Sequence, residues 1–311
     1  MRQRVRQRVR QSTRREGRDG LRQDVRDDLH HDVRPGVRQE ARRRAALYAA
    51  VAAGGFRRYA TYGTATAAGV FTNTVFGFIV AFTYIALWEQ RPGLGGYDQA
   101  QALTFVWVSQ SLLAAGALIG GGFQEELQER VRTGDIAVDL YRPADLQMWW
   151  LAADLGRAAF QLLGRGLVPI VAGALFFRLA LPTDPERWLL FLVSVALGLV
   201  VSFAVRYLLG LLAFWLLDGA GINLMATVVS IFFSGMLLPL TVFPGAFGEF
   251  VRVLPWAAML QVPLDVLLGE HAGAGDAAGA LAFQVFWVLV LLCAGRVLQS
   301  AATRKVVVQG G

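Results

Sequence analysis

The chain has 311 residues, 55% of them hydrophobic, with a formal net charge of +7 and a mean hydropathy of +0.45. The charge is one-sided: residues 1–58 hold 17 of the 30 basic and 7 of the 23 acidic residues, and the remainder is net acidic. A basic tail on an apolar body excludes a nucleic-acid module, which would carry its basic stripe on a folded surface; one cysteine, Cys293 in an apolar run, excludes a disulfide framework and a thiolate metal site and reads as a small buried residue.

Residues 1–44 are low in complexity. Val5, Val9, Leu21, Val25, Leu29, Val33 and Val37 fall on a period of four, which drifts about 40° per repeat on a helix and forms no lasting apolar face. Gly17, Gly20, Pro35 and Gly36 interrupt it further. The segment reads as a disordered or loosely helical cytoplasmic tail, either touching anionic headgroups or merely solvated. The first apolar run waits until about residue 64, so no secretory signal pattern opens the chain. Between them, residues 39–62 become helical in pattern and end on Arg57, Arg58 and Tyr59, residues suited to an inner membrane interface.

A spanning helix needs about 20 mostly apolar residues to cross a hydrocarbon layer about 30 Å thick. Runs over 65–88, 103–122, 150–181, 188–210, 222–242 and 277–298 meet that requirement. The expectation is an all-α integral membrane protein of six spans, with residues 45–311 as one transmembrane domain. In the third run Asp154, Arg157 and Arg165 crowd the early part, so its arginines are expected to snorkel back to the inner surface. The fourth reaches Arg206 near that surface, an interfacial anchor by position, although an intramembrane arginine is also a functional candidate. The stretch 243–269 is apolar enough to suggest a seventh span, but Pro244, Pro255 and Pro263 cut it into pieces too short to cross. Two short helices that enter from the outer face and return are expected there. Placing the N-terminus inside puts nine basic residues on the inner flanks (Arg57, Arg58, Arg130, Arg132, Arg142, Arg157, Arg296, Arg304, Lys305) against four outside (Arg91, Arg178, Arg187, Arg252), which sets both termini in the cytoplasm of a plasma-membrane protein.

Chemistry is sparse. The lone lysine, Lys305, follows Arg304, so no G-x-x-x-x-G-K-[ST] loop exists to hold nucleotide phosphates. His30 and His31 lie in the tail and His271 in an outer loop, away from any metal-ligand spacing. Ser194, Ser202, Ser230 and Ser234 lack a basic partner for nucleophilic catalysis. Asp154, Asp218 and Glu89 sit near helix ends, which disfavours an ion-gradient carrier with a carboxylate at the midplane. A lipid-modifying enzyme would need a polar cluster around Arg165, Arg206 and Asp154. The spacing of Gly116 with Gly120, and of Ala117 with Gly121, permits close helix packing in the second span.

The inner loop 123–148 is the remaining candidate. Its run Gln124-Glu125-Glu126-Leu127-Gln128-Glu129-Arg130-Val131-Arg132 reads as a helix with Leu127 and Val131 on one face. Thr133-Gly134 ends it, Asp135 is placed to cap a second short helix, and Tyr141-Arg142-Pro143 stops that one. Such a loop suits docking to a soluble partner, or is simply a solvated interfacial helix.

These features together resemble the ABC-2-type transporter permeases, in the six-span branch of antibiotic and multidrug exporters. The residues that carry the likeness are Gly134-Asp135-Ile136, Leu140-Tyr141-Arg142-Pro143 and Asp154-Leu155-Gly156-Arg157, then Phe233-Ser234-Gly235-Met236-Leu237-Leu238-Pro239-Leu240, Phe243-Pro244, Leu254-Pro255-Trp256, Pro263 and Leu267-Leu268-Gly269. The resemblance covers roughly residues 45–300; the arginine-rich tail departs from it. It implies a coupling helix at Gln124–Arg132 seated in a separate ATP-binding subunit, which would hold the ATP and magnesium, with none bound by this chain. It further implies a second permease copy, identical or paralogous, and an outer gate that includes Pro239, Phe243, Pro244, Pro255 and Pro263. Export of an amphiphilic or hydrophobic substrate follows from the resemblance, and a membrane scaffold that recruits a partner without transport is the alternative.

Overall fold

The computed structural model describes residues 37–216, 219–269 and 277–309. The arginine-rich tail before Val37, with His30 and His31, and also Asp218 and His271, lie outside the described residues. The chain divides into two units, residues 1–47 and 48–311. The first contributes the start of helix α1 (Val37–Ala60), where Glu40 and Arg44 pair one turn apart at 2.5 Å. Residues 37–44, expected in the irregular tail, are therefore helical, and the interfacial helix runs slightly earlier than the 39–62 expected.

Within the second unit the order is α2 (Gly63–Gln90), α3 (Gln99–Leu113), α4 (Gln124–Thr133), α5 (Ile136–Tyr141), α6 (Leu146–Gln161), α7 (Leu167–Phe176), α8 (Pro185–Leu211), α9 (Ala220–Phe233), α10 (Gly245–Val253), α11 (Gln261–Leu268) and α12 (Ala277–Gln309). No strand occurs among the described residues. Among the described residues four helices are long and apolar enough to cross a membrane: Gly63–Gln90, Leu146–Phe176, Pro185–Phe214 and Ala277–Arg304; Ala220–Phe233 is a shorter apolar helix. The runs expected at 103–122 and 222–242 differ most, because α3 stops at Leu113 and α9 at Phe233. The third run ends at Phe176 rather than at 181.

The helix Leu146–Phe176 is continuous but widens into a π turn over Leu162–Gly166. Pro169 lacks the N–H that would bond the Arg165 carbonyl, and its ring presses on that carbonyl, so the backbone relieves the clash by a wider turn. The core is centred on α3, buried from Ala102 to Leu113. The Trp107 indole packs between α2 and α7 where both carry glycine: a Cβ at Gly77 would come within 2.7 Å of it, and one at Gly173 would overlap it. Buried Ser109 and Ser111 return their hydroxyls to the carbonyls of Phe105 and Trp107 one turn back, at 2.6 and 3.0 Å. A second seam joins α8 to α12, where Gln284 accepts from Ser194 at 2.8 Å and donates to the Ala258 carbonyl at 2.8 Å. Cys293 is exposed on α12, not buried as expected, because an apolar run facing lipid needs no protein cover.

The stretch after α9 consists of a 3-10 turn at Leu240–Val242, α10, a second 3-10 turn at Ala257–Met259, and α11. Pro244 precedes α10 and Pro255 follows it, while Pro263 occupies the first turn of α11, where its missing N–H breaks no helical bond.

Candidate functional site

The functional candidate begins where α3 fails to continue. Residues 114–122 leave the helix through Ala117 at φ 49° and a left-handed run, Gly120, Gly121 and Gly122, at φ 82°, 85° and 89°. The small residues Gly116, Ala117, Gly120 and Gly121 are therefore not a helix-packing seam, as their spacing suggests; they form the break itself. A helix end inside an apolar body leaves carbonyls without partners. Arg157 from α6 supplies donors, with Nη1 to the Ala114 carbonyl at 2.8 Å and Nη2 to that of Ala115 at 2.7 Å. Ser202 of α8 donates to the Gly116 carbonyl at 2.5 Å.

Two arginines then share one carboxylate. Arg157 Nε donates to Asp154 Oδ1 at 2.6 Å, and Arg206 Nη2 donates to Asp154 Oδ2 at 2.5 Å. Asp154, Arg157 and Arg206 are 4%, 3% and 6% exposed. The Arg206 guanidinium also stands over the Phe123 ring at 5.2 Å, and a Cβ at Gly122 would approach its Nη1 to 2.8 Å. Arg157 and Arg206 are thus buried within the protein, held by Asp154 and by the carbonyls at the end of α3. Asp154 lies in the third turn of the continuous Leu146–Phe176 helix, eight residues from its start. Arg165 is not in this cluster: its guanidinium lies against Gly69 of α2. With both Asp154 oxygens engaged by guanidinium groups, the cluster has no base for lipid chemistry.

Phe123 leads from this cluster directly into α4 and stacks on Phe203 at 4.8 Å between ring centres. The α4 helix has Glu125 and Glu126 in its first turn and Arg130 and Arg132 in its last, matching its dipole. Leu127, fully buried, enters a notch in α8 at Gly210, where a Cβ would come within 2.8 Å of it. Val131 packs against the same core, so the expected apolar face is present. Gln124 and Gln128 both donate to Asn223 of α9, at 2.7 and 3.0 Å. Glu126 accepts from Arg58 at 2.6 Å, and that pairing raises the Arg58 pKa above its ordinary value.

Gly134 closes α4 in the left-handed conformation. Asp135 does not cap the next helix, as expected; its carboxylate accepts from the Thr133 hydroxyl at 3.0 Å instead. Asp139, within that helix, is buried between Arg130 at 3.0 Å and Arg142 at 3.1 Å, while Arg142 also covers the Trp149 ring at 5.0 Å. Arg142 leaves α5 in extended geometry before Pro143.

The outward edge of this assembly is exposed: Glu125, Glu129, Arg132, Gly134, Asp135, Val138, Tyr141, Arg142 and Pro143, with Tyr141 at 90%. Beside it a cavity of about 340 Å³ is walled by Leu118, Gly120 and Arg206 on one side and Leu224, Thr227 and Ser230 of α9 on the other. The residues expected at an outer gate are separate from this site. Phe243 there packs its ring against Phe232 at 5.4 Å and Phe247 at 5.5 Å, and Pro239 opens the 3-10 turn.

Several participants were not singled out from the sequence: Arg58 as a partner, Asp139, Gly210 and Asn223. Asp154 and Arg157 stand three apart, so their helical pairing was readable; the contacts of Gly210 and Asn223 with α4 span about 80–100 positions and leave no local signal. A family model described as "ABC-2 family transporter protein" matches residues 74–310. No curated protein matches the chain.

Proposed function

The chain belongs to the ABC-2 transporter family, and from that premise we propose that it is the six-span permease subunit of an exporter driven by a separate ATP-binding subunit. The observation that carries this reading is the joint at α4. One helix is held to α8 by Leu127 in the Gly210 notch and to α9 through Asn223, and it also pairs with Arg58, while its outer edge is exposed. A partner pressing on Glu125, Glu129, Arg132, Val138 and Tyr141 would move helices packed around the whole inner core.

On this reading α3 and α9 are the second and fifth spans, completed by the irregular segments after them, and both termini face the cytoplasm. Residues 45–311 act as one transmembrane domain. The working unit pairs two permeases, identical or paralogous, with two ATPases that hold ATP and magnesium. The broken outer segment with Pro239, Phe243, Pro244, Pro255 and Pro263 forms the exit gate. The cargo is amphiphilic or hydrophobic, in keeping with a cavity that joins Arg206, Thr227 and Ser230 to Leu118 and Leu224.

The test is co-purification with the cognate ATP-binding subunit in lipid. Wild type is compared with Glu125→Arg/Glu129→Arg, both exposed, and with Val138→Asp/Tyr141→Asp. Loss of the complex and of stimulated ATP hydrolysis, with the melting temperature unchanged, is expected. A complex that survives both variants removes the coupling assignment. Failure of the wild type to bind any ATPase brings the scaffold reading forward.

A further inference from the structure

We infer that Arg165 holds the phosphate of a membrane phospholipid whose acyl chains lie along the outer face of the Leu146–Phe176 helix. Unlike Arg157 and Arg206, Arg165 makes no hydrogen bond or ion pair among the described residues, and its Nε is buried without a partner. A bare guanidinium in a membrane-spanning helix is costly, and it draws in an anion or a polar partner. The fold also displays it: the π turn before Pro169 carries the side chain across α2 at Gly69, where a Cβ would overlap the guanidinium.

The surroundings select an amphiphile rather than a soluble anion. Val168, one turn beyond Arg165, is 46% exposed, and further along the same helix Leu175 and Phe176 are 76% and 70% exposed. Gly69 stands six residues after the start of α2 at Gly63, roughly 9 Å along its axis. That is within reach of the headgroup level for a long, snorkelling side chain. The planar guanidinium matches a phosphodiester by two parallel N–H donors, and Val168, Leu175 and Phe176 along the same helix match an acyl chain. The inference needs only that this helix faces lipid; it is independent of whether the chain transports anything.

The experiment is native mass spectrometry of the purified chain in mild detergent, titrated with phosphatidylglycerol or with phosphatidylcholine. Wild type is expected to retain one tightly held phosphatidylglycerol, and Arg165→Gln to lose its retention by about tenfold, as for removal of one charge-assisted pair. Gly69→Ala keeps the charge but fills the cradle, and because the atoms it meets belong to a flexible side chain, the helix is expected to fold and the lipid to be lost. Arg178→Gln, at an exposed arginine outside the helix, is expected to retain lipid as wild type does. Equal retention in wild type and Arg165→Gln overturns the inference. So does displacement of the lipid by millimolar inorganic phosphate alone, which would indicate a soluble anion. Loss of dimers without loss of lipid in Arg165→Gln also overturns it, assigning the guanidinium to a second copy of the chain.

Discussion

Two buried polar clusters solve the same problem with different chemistry. Around the end of α3, two carbonyls lack a backbone donor, at Ala115 and Gly116, and they are met by Arg157 and Ser202; Arg157 adds a second donor to the Ala114 carbonyl, and Arg206 and Asp154 complete the group. Around the break after α9, both kinds of backbone group are left over. The Ser234 carbonyl accepts from Gln261 N at 3.1 Å, and Leu240 N donates to Gln261 Oε1 at 2.8 Å. Gln261 Nε2 then reaches the Tyr97 hydroxyl at 2.9 Å and Asp265 at 2.8 Å, and Tyr97 donates to Asp265. Where only acceptors are orphaned, the fold recruits a cation and must bury a carboxylate to balance it. Where donors and acceptors are orphaned together, one glutamine serves both, its backbone N–H donating to the Ser234 carbonyl and its side-chain Oε1 accepting from Leu240 N. Burial and the neighbouring Asp265 carboxylate push the Tyr97 pKa far up, so it stays a donor.

That contrast can be broken most directly by removing the two carboxylates. Asp154→Asn leaves two buried guanidinium groups facing each other without a counter-charge and is expected to cost about 3–5 kcal/mol. Asp265→Asn disturbs neutral donors, Tyr97 and Gln261, and is expected to cost about 1–3 kcal/mol. Unfolding of the purified variants in detergent, followed by tryptophan fluorescence, ranks them; the reverse order would end the distinction drawn between the clusters.

Next in size is the link from the charged cluster to α4. Gly210→Ala would press on Leu127 and is expected to cost about 1–3 kcal/mol. Adding Leu127→Ala opens the space again, so the double variant should be more stable than the sum of the single changes implies. Strict additivity would mean that the notch does not hold α4. Tyr97→Phe, in the cluster around Gln261, removes one shared hydroxyl and is expected to cost about 1 kcal/mol. Smallest is Arg58→Ala: the side chain is 63% exposed and its pair with Glu126 is screened by solvent, so a change within about 0.5 kcal/mol is expected, vanishing at high salt.

The long helices were legible because bilayer thickness turns an apolar run of the right length into a span, and α2, α8 and α12 coincide closely with runs seen in the sequence. The α4–α5 pair was legible too, from Leu127 and Val131 one turn apart, from Gly134, and from Pro143. The ends of the second and fifth runs were not. Gly120–Gly122 remain apolar by any hydropathy count while their φ angles forbid a helix, and hydropathy carries no information about backbone handedness. Arg157 and Arg206 were visible as charges in apolar runs, but position alone could not separate an anchor at the surface from a partner in the core.

The sequence by itself determined the class of protein, an apolar helical chain for a membrane, with a charged helix pair between its second and third runs and no phosphate-binding loop of its own. Those properties depend on composition and local spacing. Only the tertiary structure decided which arginines are consumed and which is free. Asp154 and the orphan carbonyls of α3 are brought to Arg157 and Arg206 by helix packing, whereas a proline-induced π turn sends Arg165 the other way, onto Gly69. A charge in an apolar run becomes a joint or a binding site according to what the fold places within hydrogen-bond reach.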